Sequence, residues 1–506
     1  MIEQLKKLGV HIPEILLPAD GTDLSKWAVI ACDQYTSQPD YWQNVSREVG
    51  SSPSTLRLIF PEIYLKDDDK EERIANINKT MEQYLDQGIL ESQGPCFILV
   101  ERSTPHTPSR KGLVLALDLE QYDYRPGAQT LIRATEGTVL DRIPPRVKIR
   151  ENALIELPHI MVLIDDPQKT VVESLYAAAA DGKYKKLYDF ELMQGGGHIK
   201  GWKVDDEESF SMVAQALSKL ICSSSGSEDG DGSSASVMGA EDSTFISAKS
   251  VDNGCSSSGD GSKTASIHSC SDLLFAVGDG NHSLASAKAH WENVKAALLK
   301  SRSAQAVDPS ASQQGHLPEQ AESYIPEHPA RYALVEIVNV HDEGIVFEPI
   351  HRVLFNIDAS TIADLLKKYC TKQHLADFRL FDSKEDMEEA KKKLGNNGHV
   401  IPFILEGRYG IMIIENPVSN IEVGSLQSIL DELISNNPDI EIDYIHGDNV
   451  VTALGSKPGA MGFYLPVMNK HDLFPTVKLD GVLPRKTFSM GEAEEKRYYL
   501  ECRRIK

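Results

Sequence analysis

The sequence predicts an α/β fold, with a mixed α+β arrangement as its variant: multi-stranded mixed sheets with flanking helices, interrupted by a disordered Ser/Gly-rich insertion. Three observations lead there. Apolar runs of strand length recur along the chain, each stopped by Gly, Pro or a polar residue. Stretches with helical apolar spacing stand between them. One long segment, 222–268, is mostly Ser, Gly, Asp and Glu, and buries too little apolar surface to order itself.

A chain of 506 residues with 41% hydrophobic and 25% charged content has room for two or three domains and a large core. The net charge of −23 argues against a general nucleic-acid binder and against an anionic membrane surface. The seven cysteines are odd in number and form no CxxC pair, which fits reduced thiols in a cytosol better than a disulfide framework or a zinc knuckle. The start, Met1 to Lys7, lacks the apolar stretch of a signal peptide, and no run of about 18 apolar residues offers a membrane span. The expectation is a cytoplasmic protein with a small anionic ligand.

In chain order, residues 1–20 suggest a short helix and a strand punctuated by Pro13 and Pro18. Lys26–Asp33 reads as one buried strand, and Asp33 at its end is either a ligand contact or an Asx turn. A helix starts after Ser37 with Pro39 in its first turn, and another spans 70–88, stopped by Gly88. Strands follow at 96–102 and 112–119, joined by a turn.

The segment 131–151 concentrates Arg133, Arg142, Arg146, Lys148 and Arg150 in an otherwise acidic chain. Guanidinium forks suit phosphate or carboxylate, although they pair equally well with surface acids. Pro144 and Pro145 favour a loop here. Glu136 is placed to act as a general base or a metal ligand. The strand 157–164 ends in Asp165 and Asp166, either Mg²⁺ ligands or the start of a turn before Pro167. A helix over 168–182 and a strand at 188–192 follow.

After the insertion, Leu273 to Val277 reads as a buried strand, Gly278-Asp279-Gly280 as a tight turn, and the residues from Asn281 onward as a helix capped by Asn281 or Ser283. Glycines let a ligand approach the backbone, and a helix N-terminus attracts anions. Asp279 and His282 stand beside that spot. The bland reading is an ordinary strand–helix joint of an α/β domain, with Asp279 as a cap and His282 bonded to a loop.

Residues 301–322 are a polar loop. Strands resume at 331–340 and 345–355, where His351 and Arg352 point to opposite faces. A buried charge needs a partner there, either a ligand anion or a protein acid. The remainder alternates helix and strand, with a hairpin over 401–414 and strands at 442–446 and 462–467. The expected organisation is an N-terminal α/β domain (1–221), the insertion (222–268), the strand–turn–helix (269–300), the polar loop (301–322) and a C-terminal α/β domain (323–506).

Four pieces together, Ala31-Cys32-Asp33-Gln34-Tyr35, Ala276-Val277-Gly278-Asp279-Gly280-Asn281-His282, Pro349-Ile350-His351-Arg352 and Leu483-Pro484-Arg485-Lys486-Thr487, make the chain resemble the domain-of-unknown-function 1015 family of mainly bacterial proteins. Many members carry Asp-Gly-His-His-Arg where this chain has Asp279-Gly280-Asn281-His282-Ser283. The fuller motif is similar to the phosphate-binding turn of ParB/sulfiredoxin-like proteins, among them kinases acting on free serine. This chain keeps Asp279, Gly280 and His282 and lacks the first His and the Arg. Members often stand beside serine-biosynthesis genes, so the resemblance implies serine or phosphoserine as ligand and a nucleotide or pyrophosphate with Mg²⁺ as companion.

The leading expectation is a phosphoryl-chemistry enzyme, a kinase or a phosphatase, acting on a small amino- or hydroxy-acid. Its catalytic candidates are Asp279, His282 and Glu136. Gly278, Gly280, Asn281, Ser283, Arg133, Arg142, Arg146, His351 and Arg352 are the phosphate- or substrate-binding set, and Asp279 doubles as a metal ligand. The alternative is a non-catalytic anion- or metabolite-binding scaffold or sensor using the same pocket.

Overall fold

The computed structural model describes all residues except 37, 224–272, 306–326, 371–373, 395–397 and 480. Apart from their first few residues, which continue helices, the expected insertion (222–268) and polar loop (301–322) lie outside the described residues.

A ten-stranded sheet forms the centre. Its path runs Lys185–Glu191, His198–Val204, Phe97–Ser103, Arg110–Asp118, Tyr332–Asn339, Met161–Ile164, Phe275–Asp279, Ile132–Ala134 and Tyr122–Asp123, with Val10–His11 paired beside Arg110–Asp118. Unbroken apolar runs suit this position because both faces are covered. Phe97, Leu99, Leu113 and Leu115 enter one core under the helices Val172–Ala180 and Asn281–Gln305. Their alternating neighbours Ile98, Val100 and Val114 enter a second core with Trp27, Trp42 and Met81. Each fully buried side chain of this size contributes roughly 1.5–3 kcal/mol.

A second sheet of six antiparallel strands runs His374–Phe381, Arg408–Glu415, His399–Leu405, Ala460–Phe463, His351–Phe355 and Glu441–Ile445. The helices Ile362–Tyr369 and Glu422–Asn436 bury their apolar faces on it.

Three local expectations are corrected. Lys26–Asp33 is not one strand. Asp23 accepts the Ser25 N–H at 3.1 Å and caps a short helix, Leu24–Trp27, leaving only Val29–Ile30 extended. The prolines at 144 and 145 do not prevent a helix either: Ile143–Glu151 is helical, with both in the first turn, where no N–H is required. The run 345–355 splits, because Phe347–Pro349 pairs with Phe488–Met490 and His351–Phe355 joins the second sheet.

The C-terminal segment returns to the large sheet. Tyr498–Tyr499 pairs with Val29–Ile30, and Arg503–Arg504 with Ile155–Glu156. Buried Arg497 bridges Glu336 and Glu501, the latter at 2.5 Å. Arg102 donates to the carbonyls of Glu494, Glu495 and Lys496 and to that of Gly196 at 2.9 Å. These bonds fix residues 494–497 against the sheet.

Burial alone would raise the Glu336 carboxyl, yet the guanidinium of Arg497, then Arg110, holds it below its ordinary value. Glu156 behaves likewise under Arg503 and Arg150. Burial also lowers His11, His282 and His290, each to about 4. In every case the unfolded chain binds more protons, so stability rises with pH across the window between the folded and unfolded values. Urea unfolding free energy is therefore expected to fall from pH 7 to pH 5 as the unfolded histidines charge. It falls further below about pH 4.3, where unfolded carboxylates take up protons. An unchanged free energy between pH 7 and pH 5 would contradict the histidine assignment.

Candidate functional site

The strand Phe275–Asp279 lies between Met161–Ile164, antiparallel, and Ile132–Ala134, parallel. Its end turns sharply at Gly280, whose φ of +83° is one that L side chains rarely adopt. The helix Asn281–Gln305 starts at once. Asp279 Oδ1 accepts the Gly280 N–H at 3.0 Å. The Leu284 N–H reaches back to the Gly280 carbonyl at 3.0 Å. The N–H groups of Asn281, His282 and Ser283 precede that bond and are not part of the helix ladder.

These residues line a cleft of about 550 Å³ between the large sheet and the second sheet. Asp33, Glu136, Arg142, Arg146 and His159 also line it, and Tyr444, Arg485, Lys486 and Lys496 close it from the C-terminal half. The corner is open rather than filled by its own side chains. Arg142, Arg146 and Lys486 act on His282 in the helix's first turn, and the acids Asp33, Glu62, Glu136 and Glu492 share the lining.

Lys496 is 9% exposed and places its Nζ 3.2 Å from Asp279 Oδ2, while donating to the Met490 carbonyl at 3.2 Å. Asp279 is thus held by a backbone N–H on one oxygen and an ammonium on the other. His282 Nε2 accepts the Val139 N–H at 3.1 Å, so its proton is on Nδ1. Burial first, then Arg142 and Arg146, keep this ring neutral near pH 7. Burial would raise the Asp33 carboxyl, but His159, then the Gln34 amide and Lys496, hold it below its ordinary value. Glu136 Oε2 accepts the Lys486 N–H at 3.0 Å and so pins a loop whose Lys486 has a φ of +59°.

Of the residues singled out from sequence, Glu136, Gly278, Asp279, Gly280, Asn281, His282, Ser283, Arg142 and Arg146 line this cleft. Gly278 does so for a packing reason: a Cβ there would stand 2.8 Å from the Met490 side chain. Asn281 joins strands, its Oδ1 accepting the Thr135 N–H at 3.3 Å and its Nδ2 donating to the Val277 carbonyl at 3.2 Å. Asp279 does not cap the helix either: its Oδ1 accepts the N–H of Gly280, the residue before the first helical one. Arg146 pairs with Glu62, and Arg142 stands exposed at the rim.

Arg133, His351 and Arg352 are not on the cleft. Arg133 is buried and donates to the Thr130 carbonyl at 2.9 Å. His351 Nδ1 accepts the Leu465 N–H at 3.0 Å, and its Nε2 lies 3.0 Å from Asp448. Arg352 grips the carbonyls of Arg485 at 3.1 Å and Lys486 at 2.9 Å and the Gln427 amide oxygen at 3.1 Å, under the ring of Tyr444. Its partner is backbone rather than a ligand, and it acts by positioning the cationic loop. Arg352→Met is expected to cost about 3 kcal/mol in urea unfolding, because several buried carbonyls lose a charged donor. Anion binding should weaken with it, while an unaltered Kd would separate Arg352 from the loop.

Asp165 and Asp166 also lie elsewhere. Asp165 contacts His341 at 2.8 Å, and Asp166 accepts the Thr170 and Val171 N–H groups at 2.6 and 2.8 Å, which is the turn reading. Among the described residues no group of three or more His, Cys, Asp or Glu stands together as a metal site. Mg²⁺ bound to phosphate oxygens asks for only one or two carboxylates, and Asp33, Glu136 and Asp279 are within the cleft. Sequence reasoning missed Lys496 and His159. Lys496 sits in the run Glu494-Glu495-Lys496-Arg497, which reads as a solvated face.

A family model described as "Protein of unknown function (DUF1015)" matches residues 16–433. No curated protein matches the chain. Among solved structures, a conserved hypothetical protein from Pyrococcus furiosus aligns at 14% identity and a TM-score of 0.26, over 46% of this chain and 75% of that one. Free serine kinase in complex with AMP aligns at 13% identity and a TM-score of 0.27, over 46% of this chain and 72% of that one. A mutant of free serine kinase in complex with ADP gives 14% identity, the same TM-score and the same coverage. Likenesses of this size do not bear on the chemistry of the cleft. No helix among the described residues is long and apolar enough to cross a membrane.

Proposed function

The chain belongs to the DUF1015 family, and from that premise we propose that its cleft is the centre of a cytosolic phosphoryl-transfer enzyme acting on a small amino- or hydroxy-acid. One observation carries the reading. The N-terminus of a long helix opens into a 550 Å³ cleft whose lining brings Asp279, held by Lys496, into one space with the cations Arg142, Arg485 and Lys486.

In this reading the N–H groups of His282 and Ser283 receive the phosphate oxygens, and Nδ1–H of His282 adds a neutral donor. Arg142, Arg485 and Lys486 offset the charge that spreads over those oxygens. Asp279 takes the proton of the substrate hydroxyl as its oxygen attacks phosphorus and the P–O bond to the leaving phosphate breaks. Lys496 orients the carboxylate for that step. A nucleotide or pyrophosphate is the donor, and Mg²⁺, when it accompanies the donor, supplies charge neutralisation beside Asp33 or Asp279.

The engaged state of both Asp279 oxygens favours a second reading, a non-catalytic anion sensor. Thermal shift and phosphate-release assays with ATP, pyrophosphate and phosphoserine in Mg²⁺ separate the two. Both readings require a raised Tm with an anion, and only the enzyme turns over. Stabilisation without turnover across donors and hydroxy-acid acceptors would leave the sensor standing.

A further inference from the structure

Beside the cleft lies a second cavity of about 120 Å³, walled by Leu58, Ile59, Phe60, Met81, Ala153 and Ile155, all buried. It lies against the helix Ile143–Glu151, and its boundary with the cleft is shared: Glu62, Arg146, His159 and Ser283 line both.

Most polar groups of this cavity are already bonded within the protein, Arg150 Nε being an exception. Arg146 pairs with Glu62, and Arg150 with Glu156 at 2.6 Å. Ser286 Oγ donates to the His282 carbonyl at 2.7 Å. The Tyr499 hydroxyl lies 2.8 Å from His159 Nδ1 and 3.0 Å from Cys32 Sγ. Burial pushes the Cys32 thiol far up, so it stays protonated and behaves as a small apolar group. What remains to contact an occupant is mostly hydrocarbon. An apolar cavity of around 150 Å³ holds a benzene-sized group. Serine, with a single hydroxymethyl, would leave this space unfilled.

We propose that this cavity is the side-chain subsite of the cleft, and that the substrate is a phosphate monoester, or its parent hydroxy compound, bearing a compact apolar group of phenyl or isobutyl size. The charged end sits at the helix N-terminus, and the apolar end passes Ser283 and the Arg146–Glu62 pair to rest among Leu58, Phe60 and Ile155. This deepens the phosphoryl-transfer reading and rests on it.

Calorimetric titration of the full chain with inorganic phosphate, methyl phosphate and phenyl phosphate tests it, since the two esters carry the same charge. Phenyl phosphate is expected to bind at least about tenfold more tightly than methyl phosphate, the effect of burying one compact apolar group. Ala153→Leu, which fills the cavity, should reduce that preference to about threefold or less with methyl phosphate unchanged. Leu65→Trp, at the half-buried mouth, should do the same if Ala153→Leu fails to fold. Equal affinity for the two esters, with inorganic phosphate still binding, overturns the subsite alone. So does a preference that survives both variants. Absence of binding by all three probes overturns the phosphate cleft and the subsite together.

Discussion

Replacing Asp279 by asparagine is expected to lower turnover by about 10²–10⁴-fold, the range typical of losing a positioned proton acceptor. The fold should survive, because asparagine has the same shape and its Oδ1 still accepts the Gly280 N–H that shapes the turn. What disappears is the charge facing Lys496 Nζ at 3.2 Å. With no carboxylate to neutralise it, that ammonium strengthens the positive field at the helix N-terminus. Phosphate should therefore bind Asp279→Asn as well as or better than the parent protein. Loss of turnover with binding retained distinguishes a catalytic carboxylate from a structural one. Full activity in the variant would remove Asp279 from the chemistry.

A large stability effect is expected at Arg497. Its guanidinium lies between Glu336 and Glu501, carboxylates that are 1% and 0% exposed. Arg497→Met leaves Glu336 with the more distant Arg110 at 3.7 Å and Glu501 with the Tyr188 hydroxyl at 2.5 Å, at a cost of about 3 kcal/mol. That is a large part of the 5–15 kcal/mol typical of a folded protein. Adding Glu336→Gln removes one weakly paired charge and should recover part of the loss, so the two substitutions are non-additive. Urea unfolding of the single and double variants measures this directly. Because Lys496 is the next residue along the chain, Arg497→Met should also displace the ammonium that holds Asp279 and weaken phosphate binding. A cost below about 1 kcal/mol would mean that Arg110 and Tyr188 suffice as partners for the two carboxylates.

Much of this architecture is legible from local pattern. The apolar runs within 96–102, 112–119 and 157–164 announce buried strands, and strands stand at Phe97–Ser103, Arg110–Asp118 and Met161–Ile164. Gly280 and the alanine-rich stretch after it announce a turn and a helix. The concentration of arginines between 133 and 150 signals a cationic wall, of which Arg142 and Arg146 reach the cleft. Arg133 and Arg352 misled for one reason. A single sequence does not say whether a buried cation meets a ligand or a carbonyl, and both meet carbonyls. Lys496 and His159 were illegible because their roles come from long-range pairing. The strand Tyr498–Tyr499 docks on Val29–Ile30, some 470 residues away in the chain, and carries Lys496 to Asp279. The Pro144-Pro145 pair has two local solutions, a fixed loop or the first turn of a helix, and the chain takes the second.

The most direct test is a crystal structure of the protein soaked in tungstate, an electron-dense analogue of phosphate. The anomalous peak is expected in the cleft, within hydrogen-bonding reach of the His282 and Ser283 N–H groups and close to Arg142 or Lys486. A peak confined to other surfaces, with the helix N-terminus at Asn281 occupied only by water, would contradict the central claim.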